Sequence, residues 1–379
     1  MDDLPVHVDV DRTLRVKVID ACGLTCTFCH NEGTPVVADN LGNRTGAFTD
    51  GGRSGRRSIY LGSNGARFLP ATVGPTREFA TALGVLRDRL DLRELHLTGG
   101  EPTLHPGLDQ VITVAREVGF GVAMTSNGEN GARVLPACAA AGLKRVNFSI
   151  FGTTAVELAQ VQDDRYRDAT RAERKIHALR RSIETALSAG IDARANIVVP
   201  DSTHIPRVLR LLCDYSERLS VRLLNSLDAG TKSLQAIDAV LDQVHAEPEA
   251  HYVTAGASGW RTRYRLPTGR AIWVKRIRSV RLPQTCTGCR FNNPTDCQEG
   301  YYGVRLYRDR AGGFQVGVCI QRMDLCMRVE QFATSSLRDE IMTLRQDEYT
   351  SWTRHSPHPG DSAWPPSSKP RSSTSTQTR

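Results

Sequence analysis

The stretch Leu14-Arg15-Val16-Lys17-Val18-Ile19-Asp20-Ala21-Cys22-Gly23-Leu24-Thr25-Cys26-Thr27-Phe28-Cys29-His30 reads as a short strand that breaks into a cysteine loop. Cys22, Cys26 and Cys29 have the spacing C-x3-C-x2-C. Three thiolates on one loop can hold three irons of a four-iron, four-sulfur cluster and leave the fourth iron open to an outside ligand. The same loop is equally half of a zinc site, so a second motif has to separate the two.

That motif follows the apolar run Leu92 to Leu97, as Thr98-Gly99-Gly100-Glu101-Pro102. Glycines at a strand end let the main chain come close to a ligand. Together the two segments resemble the radical S-adenosylmethionine (SAM) enzymes. The resemblance implies that Cys22, Cys26 and Cys29 hold the catalytic cluster, and that SAM lies against Phe28, Gly99, Gly100, Glu101, Ser126 and Ser149. Ser126 falls in Thr125-Ser126-Asn127-Gly128, which matches the family's turn after the third strand.

Strand-like runs at Arg15–Ile19, Glu94–Thr98, Gly121–Ser126, Arg145–Ile150, Ala193–Val199 and Ser220–Leu224 alternate with helix-like ones. These lie at Thr76–Leu90, Leu108–Val118, Val134–Ala141, Arg171–Ala189, Ile205–Glu217 and Ser233–His245. Alternation of this kind predicts an α/β fold with a parallel sheet. The resemblance specifies a partial (β/α)6, TIM-like barrel over 13–250, with its chemistry at the carboxyl ends of the strands. Residues 1–12 read as a lead-in. The Gly-, Asn- and Arg-rich segment 34–73 is an insertion, either a substrate lid or disordered. From 251 to 345 the pattern turns to hairpins, including Arg261–Leu266 with Arg270–Ile277 and Tyr302–Tyr307 with Phe314–Cys319, as in a smaller C-terminal cysteine-rich unit. Arg261, Arg263 and Arg265 share one strand face, either an anion site or an exposed, charge-protected edge. Residues 346–379, rich in Ser, Thr and Pro, read as a disordered tail.

The formal charge is +8, and only six of the 49 basic residues are lysine. Arginine suits phosphate and carboxylate. No apolar run is long enough to span a bilayer and Met1-Asp2-Asp3 starts no signal peptide, so the chain reads as cytoplasmic, without a membrane partner. Clustered cysteines favour metal ligation over disulfides. Cys138 and Cys213 stand apart on helix-like segments and read as buried free thiols.

Cys286, Cys289, Cys297, Cys319 and Cys326 lie within about forty residues. By spacing alone they fit a zinc ribbon or a second cluster. Here the chain resembles GTP 3′,8-cyclase of molybdenum-cofactor biosynthesis, whose C-terminal C-x2-C pair, arginine-bearing strand and final cysteine hold an auxiliary 4Fe-4S cluster. The resemblance implies a second cluster here, with Cys297 an extra thiol that can complete four-cysteine ligation with Cys286, Cys289 and Cys319, although spacing alone leaves open which four of the five ligate; it also places substrate at Arg15, Thr125, Arg194, Asn196 and Arg305. Where the cyclase has an arginine before its Gly-Gly-Glu-Pro segment this chain has His96, and where it has a lysine this chain has Arg194. One arginine of the cyclase's cluster-strand pair is missing, as is its terminal Gly-Gly. These departures fall on contacts to GTP, while the SAM contacts are kept.

The expectation is therefore a radical cyclase with a different anionic, nucleotide-like substrate, supplied with electrons by a flavodoxin- or ferredoxin-type donor. The Cys-His-Asn-Glu-Gly of Cys29 to Gly33 resembles both archaeal cyclases and the octosyl acid synthase branch of nucleoside-antibiotic assembly, which closes a carbon–carbon bond on an enolpyruvyl uridine phosphate. Competing readings are a GTP cyclase, a peptide-modifying radical enzyme, for whose peptide-binding domain the stretch before Leu14 is too short, and a zinc protein that binds nucleic acid. The last would leave the Gly-Gly-Glu-Pro segment unexplained.

Overall fold

A computed structural model describes residues 4–43 and 46–355. Its strands are β1 (Val6–Val10), β2 (Thr13–Ile19), β3 (Pro70–Ala71), β4 (Glu94–Gly99), β5 (Gly121–Ser126), β6 (Leu143–Ser149), β7 (Asp192–Val199), β8 (Ser220–Asn225), β9 (Glu247–Ala255), β10 (Gly259–Arg265), β11 (Ala271–Ile277), β12 (Val304–Asp309), β13 (Phe314–Gly317) and β14 (Met327–Arg328). Six of them, β2-β4-β5-β6-β7-β8, pair in parallel. The helices Arg77–Leu90, Leu108–Glu117, Gly131–Ala140, Ala169–Ser188, Ile205–Asp214 and Thr231–Gln243 alternate with them, giving the expected partial barrel.

Strict alternation along the strands builds this architecture. Leu14, Val16 and Val18 of β2 are fully buried toward the helices, while Arg15 and Lys17 point the other way. A parallel sheet covered on both faces is ordinarily apolar throughout. Here one face is polar, so the barrel encloses a polar interior. The outer layer is conventional: Thr76 caps helix Arg77–Leu90 by accepting from the Phe79 N–H at 3.3 Å, and Phe79, Leu83, Leu86 and Leu90 are completely buried on one helical face. Truncating any of these to alanine costs about 2–5 kcal/mol.

The strands after residue 245 extend both edges of the barrel. β11 pairs parallel to β8 and leads through β10 and β9 to β1. β12 pairs parallel to β2 and leads to β13 and β14. The lead-in thus supplies a strand, β1. Because β10 is flanked by β9 and β11, its arginine row does not protect an edge; Arg263 lies 3.1 Å from Glu249, and Arg261 turns into the barrel.

The described residues of segment 34–73, 34–43 and 46–73, pack against the barrel. Val36, Leu61, Ala66, Leu69 and Val73 are buried, and β3 pairs with β12. Arg56 is locked beneath the cysteine loop by Asp20 and Asn31, each at 3.0 Å. Residues 346–355, expected in the tail, instead continue helix Ser336–His355, with Glu348 held by Arg278 at 2.6 Å; residues 356–379 lie outside the described residues. Cys138 is buried as expected, but Cys213 is exposed, since it falls on the outer face of helix Ile205–Asp214. No helix among the described residues is long and apolar enough to cross a membrane.

Candidate functional site

The cysteine loop leaves the carboxyl end of β2 and is pinned by two neighbours. Thr25 N–H donates to Gln162 Oε1 at 2.7 Å, and Asp163 N–H donates to the Thr25 carbonyl at 2.9 Å. At the end of β4, a Cβ on Gly99 would come within 2.3 Å of the Ile19 carbonyl oxygen, and one on Gly100 within 2.2 Å of that of Asp20. Only glycine lets the two strand ends touch. Their contact brings Cys22, Cys26, Cys29, Gly99, Gly100 and Glu101 to the rim of one cavity of about 370 Å³.

Glu101 is buried, which pushes its carboxyl above the ordinary range. It accepts from Thr103 N–H at 2.9 Å, Ser126 Oγ at 2.7 Å and Asn127 N–H at 2.5 Å. Its oxygens therefore tie the ends of β4 and β5 together. Ser126 supports that carboxylate from below, and Ser149 and Phe28 line the cavity wall. Phe28 is 47 % exposed, with Phe151 tilted against it at 5.3 Å. Burial pushes the Cys22 thiol up to about 12 and raises that of Cys26. Thiols so placed ionise when a cationic metal centre takes their proton's place.

Behind this rim the inner faces of the strands form the barrel wall. Arg15, Thr125, Arg194 and Asn196 all stand on it, as the register Arg15↔His96, Thr125↔Asn147 and Asn147↔Arg194 requires. Arg15 and Thr125 line the cavity of the cysteine loop. Arg194 lies deeper and leans on Asp192 at 2.6 Å. The Oδ1 atoms of Asn147 and Asn196 are buried without a partner among the described residues, leaving two acceptors open inside the barrel. His96 accepts from or donates to Thr125 Oγ1 at 2.8 Å, and burial with Arg15 brings it down to about 3, so it is neutral.

Reading along the chain missed the cations that β8 and β11 add, and left Arg261 of β10 between an anion site and a charged edge. Arg222, Arg261 and Lys275 join Arg15 around a second cavity of about 350 Å³ that opens behind the first. Burial, then Arg261 and Arg194, push Arg222 down to about 9. The one available signal was the position of Arg222 in Ser220–Leu224, alternating with the apolar Val221 and Leu223. Tyr302, from the loop before β12, lines both cavities and was missed altogether.

Arg305 is deeper than a substrate clamp needs to be. It is buried and bonded to Glu32 at 3.0 Å, while Tyr307 OH donates to the Glu32 carbonyl at 2.9 Å. Burial pushes the Glu32 carboxyl up, but Arg305, His30 and Arg15 outweigh it and hold it at about 2. Asn31, Glu32 and Gly33 all have positive φ (46°, 55° and 76°), an arrangement sustained by this packing. Cys286, Cys289, Cys297 and Cys319 line one small space of about 30 Å³ beyond Arg305. Cys326 does not; it sits 4.0 Å from the Met323 sulfur, packed with Tyr307, and burial pushes it up to about 12.

Residues 16–212, just over half the chain, match the sequence model of the radical SAM superfamily. A probable GTP 3′,8-cyclase of Aeropyrum pernix is 28 % identical over 287 residues, covering 73 % of this chain and 69 % of that protein. A probable GTP 3′,8-cyclase of Methanopyrus kandleri is 27 % identical over 74 % of this chain and 78 % of that protein. Among solved structures, SuiB of Streptococcus suis is 14 % identical, with a TM-score of 0.39, covering 66 % of this chain and 50 % of that one. No three metal-ligating side chains among the described residues converge on a single point; a four-iron cluster takes one thiolate per iron, so a spread triad of thiols beside an open cavity fits it. The matched span runs from the first barrel strand to the helix after the fifth and takes in both motifs, and on that ground the chain belongs to the radical SAM superfamily, as an enzyme whose cofactors are a 4Fe-4S cluster and SAM.

Proposed function

We propose that the enzyme cyclises an anionic nucleotide by forming a carbon–carbon bond, with an enolpyruvyl uridine phosphate as substrate and an octosyl acid phosphate as product. The observation that carries this reading is the row of cations on the inner wall. Arg15, Arg222, Arg261 and Lys275 surround a cavity that shares Arg15 and Tyr302 with the one at the cysteine loop, and their mutual repulsion is relieved by a bound phosphate or carboxylate.

In this reading Cys22, Cys26 and Cys29 hold the cluster, and Phe28, Gly99, Gly100, Glu101, Ser126 and Ser149 shape the SAM pocket. Bound there, these cofactors supply a 5′-deoxyadenosyl radical that removes one sugar hydrogen. The chain's own residues do the rest by positioning. Arg15 and Arg194 hold the phosphate end. Asn196 and Thr125 orient hydroxyls through the open Oδ1 and the Thr125 hydroxyl. The apolar pair Phe28 and Phe151 keeps water from the mouth. Arg305 orders the turn after the cysteine loop instead of touching substrate.

Cys286, Cys289, Cys297 and Cys319 hold an auxiliary 4Fe-4S cluster with no open iron. Their common cavity supports this set, and the hydrophobic setting of Cys326 supports leaving it out. Electrons come from a flavodoxin- or ferredoxin-type donor.

The test is anaerobic turnover of the reconstituted enzyme with SAM and a reductant, offered either 3′-enolpyruvyl uridine 5′-phosphate or GTP. Formation of a product isomeric with the uridine substrate, with 5′-deoxyadenosine, supports the reading. Turnover of GTP in its place overturns the substrate and keeps the cyclase.

A further inference from the structure

Tyr302 borders three cavities. It lines the cavity of the cysteine loop, the basic cavity behind it, and a side cavity of about 130 Å³ shared with Cys297, Cys319 and Arg305. Its hydroxyl oxygen accepts from Arg15 Nη2 at 2.6 Å and from Lys275 Nζ at 3.2 Å. Arg15, Lys275 and Arg305 also approach its ring, at 4.3, 4.5 and 5.8 Å from the centroid. Arginine and charged lysine are donors only. The phenol proton is therefore not shared with either, and the oxygen it would leave behind already has two cationic donors.

We infer that Tyr302 is the catalytic acid that ends the reaction. The inference rests on the proposed cyclisation, which leaves an unpaired electron on a substrate carbon. One electron from a reduced iron–sulfur centre at the second cysteine group pairs with it. The Tyr302 O–H bond breaks, its proton forms the new C–H bond, and its electron pair stays on the phenolate between Arg15 and Lys275. Solvent protons restore the phenol before the next turnover. The balance is one electron and one proton added to the substrate radical.

The charges facing Tyr302 favour this. Arg15 comes from β2, Lys275 from β11, Arg305 from β12, Arg222 from β8 and Arg261 from β10, against Glu299 from its own segment. Burial pushes the phenol up, but Arg15 and Lys275 outweigh it and bring it down to about 8. A proton donor is best matched when its pKa lies close to the working pH.

Two measurements on the reconstituted holoenzyme test this. Ultraviolet difference titration of wild type against Tyr302→Phe isolates one phenol; it should ionise about two pH units below an ordinary tyrosine, near pH 8, and Lys275→Met should move it back up. A phenol that stays protonated to about pH 10 overturns the assignment, whatever the substrate. With the enolpyruvyl nucleotide in D2O, wild type should place one solvent deuterium in the product. Tyr302→Phe, which keeps the ring, should raise the ratio of 5′-deoxyadenosine to product roughly a hundredfold. An unchanged ratio overturns the role. If wild type fails to turn over this nucleotide, the substrate reading falls and the titration alone decides the acid.

Discussion

The two cysteine groups solve opposite problems with the same side chain. The first sits where six parallel strands end, and its three thiols open on a cavity of about 370 Å³. The second draws Cys286, Cys289 and Cys297 from the irregular stretch between β11 and β12 and Cys319 from just after β13, and the four line a space of about 30 Å³. Three ligands beside a large space leave a metal centre accessible to a small molecule; four around a small one seal it. In the proposed reading, this openness, set by the backbone that carries the thiols, separates the reacting centre from the auxiliary one.

The largest effect that would sharpen this contrast comes from removing ligands. Cys22, Cys26 and Cys29 changed together to alanine should lower iron from about eight to about four atoms per chain and abolish 5′-deoxyadenosine formation. The matching change of Cys286, Cys289, Cys297 and Cys319 should lose a similar amount of iron yet keep SAM cleavage. Zinc in place of the second four irons, read by elemental analysis, would break the comparison.

Next in size, Arg222→Ala should lower kcat/KM by about a hundredfold, on the order of 3 kcal/mol, mainly through KM, by removing a charge-assisted contact to an anionic substrate. Glu32→Gln acts on the link between the two groups. It leaves Arg305 buried without its partner and should cost about 3 kcal/mol in denaturant unfolding. The same carboxyl sets an acid limb. Its folded pKa, about 2, lies below the ordinary 4.5, so its stabilisation is complete above pH 4.5 and is lost as pH falls toward 2. His96, held at about 3 from 6.5, adds a loss in the same direction between those values. Thermal unfolding against pH should show the lower limb flattened in Glu32→Gln. The smallest effect is expected from Cys326→Ala, which should keep full iron content and lose about 1–2 kcal/mol of packing with Tyr307 and Met323.

Much of the barrel was legible because its signals are local. The observed strand Gly121–Ser126 matches its predicted limits, and helix Leu108–Glu117 differs from the expected one by a single residue, since period-two and period-3.6 patterns need no distant partner. The cysteine loop and the Gly-Gly-Glu-Pro turn were legible for the same reason. What escaped depends on pairings far apart in the chain. β10 reads as a charged edge until β9 is found beside it, and β9 is itself paired to Val6–Val10. Lys275 and Tyr302 meet Arg15 across about 260 and 287 residues, and nothing near either announces it. Arg305 was expected at the substrate because its strand is recognisable; its partner Glu32, in the turn after the cysteine loop, was not.

That partnership also sets a timetable for synthesis. The loop bearing Cys22, Cys26 and Cys29 leaves the ribosome early, whereas Arg305, which steadies the turn behind it, is made 273 residues after Glu32. At about 5–20 residues per second, roughly 15 to 55 seconds separate the two. Throughout that interval the three thiols have no roof and no neighbouring strand β12. Loading of iron and sulfide into a finished site therefore belongs after translation, and the nascent chain depends on reducing conditions until its last strands arrive.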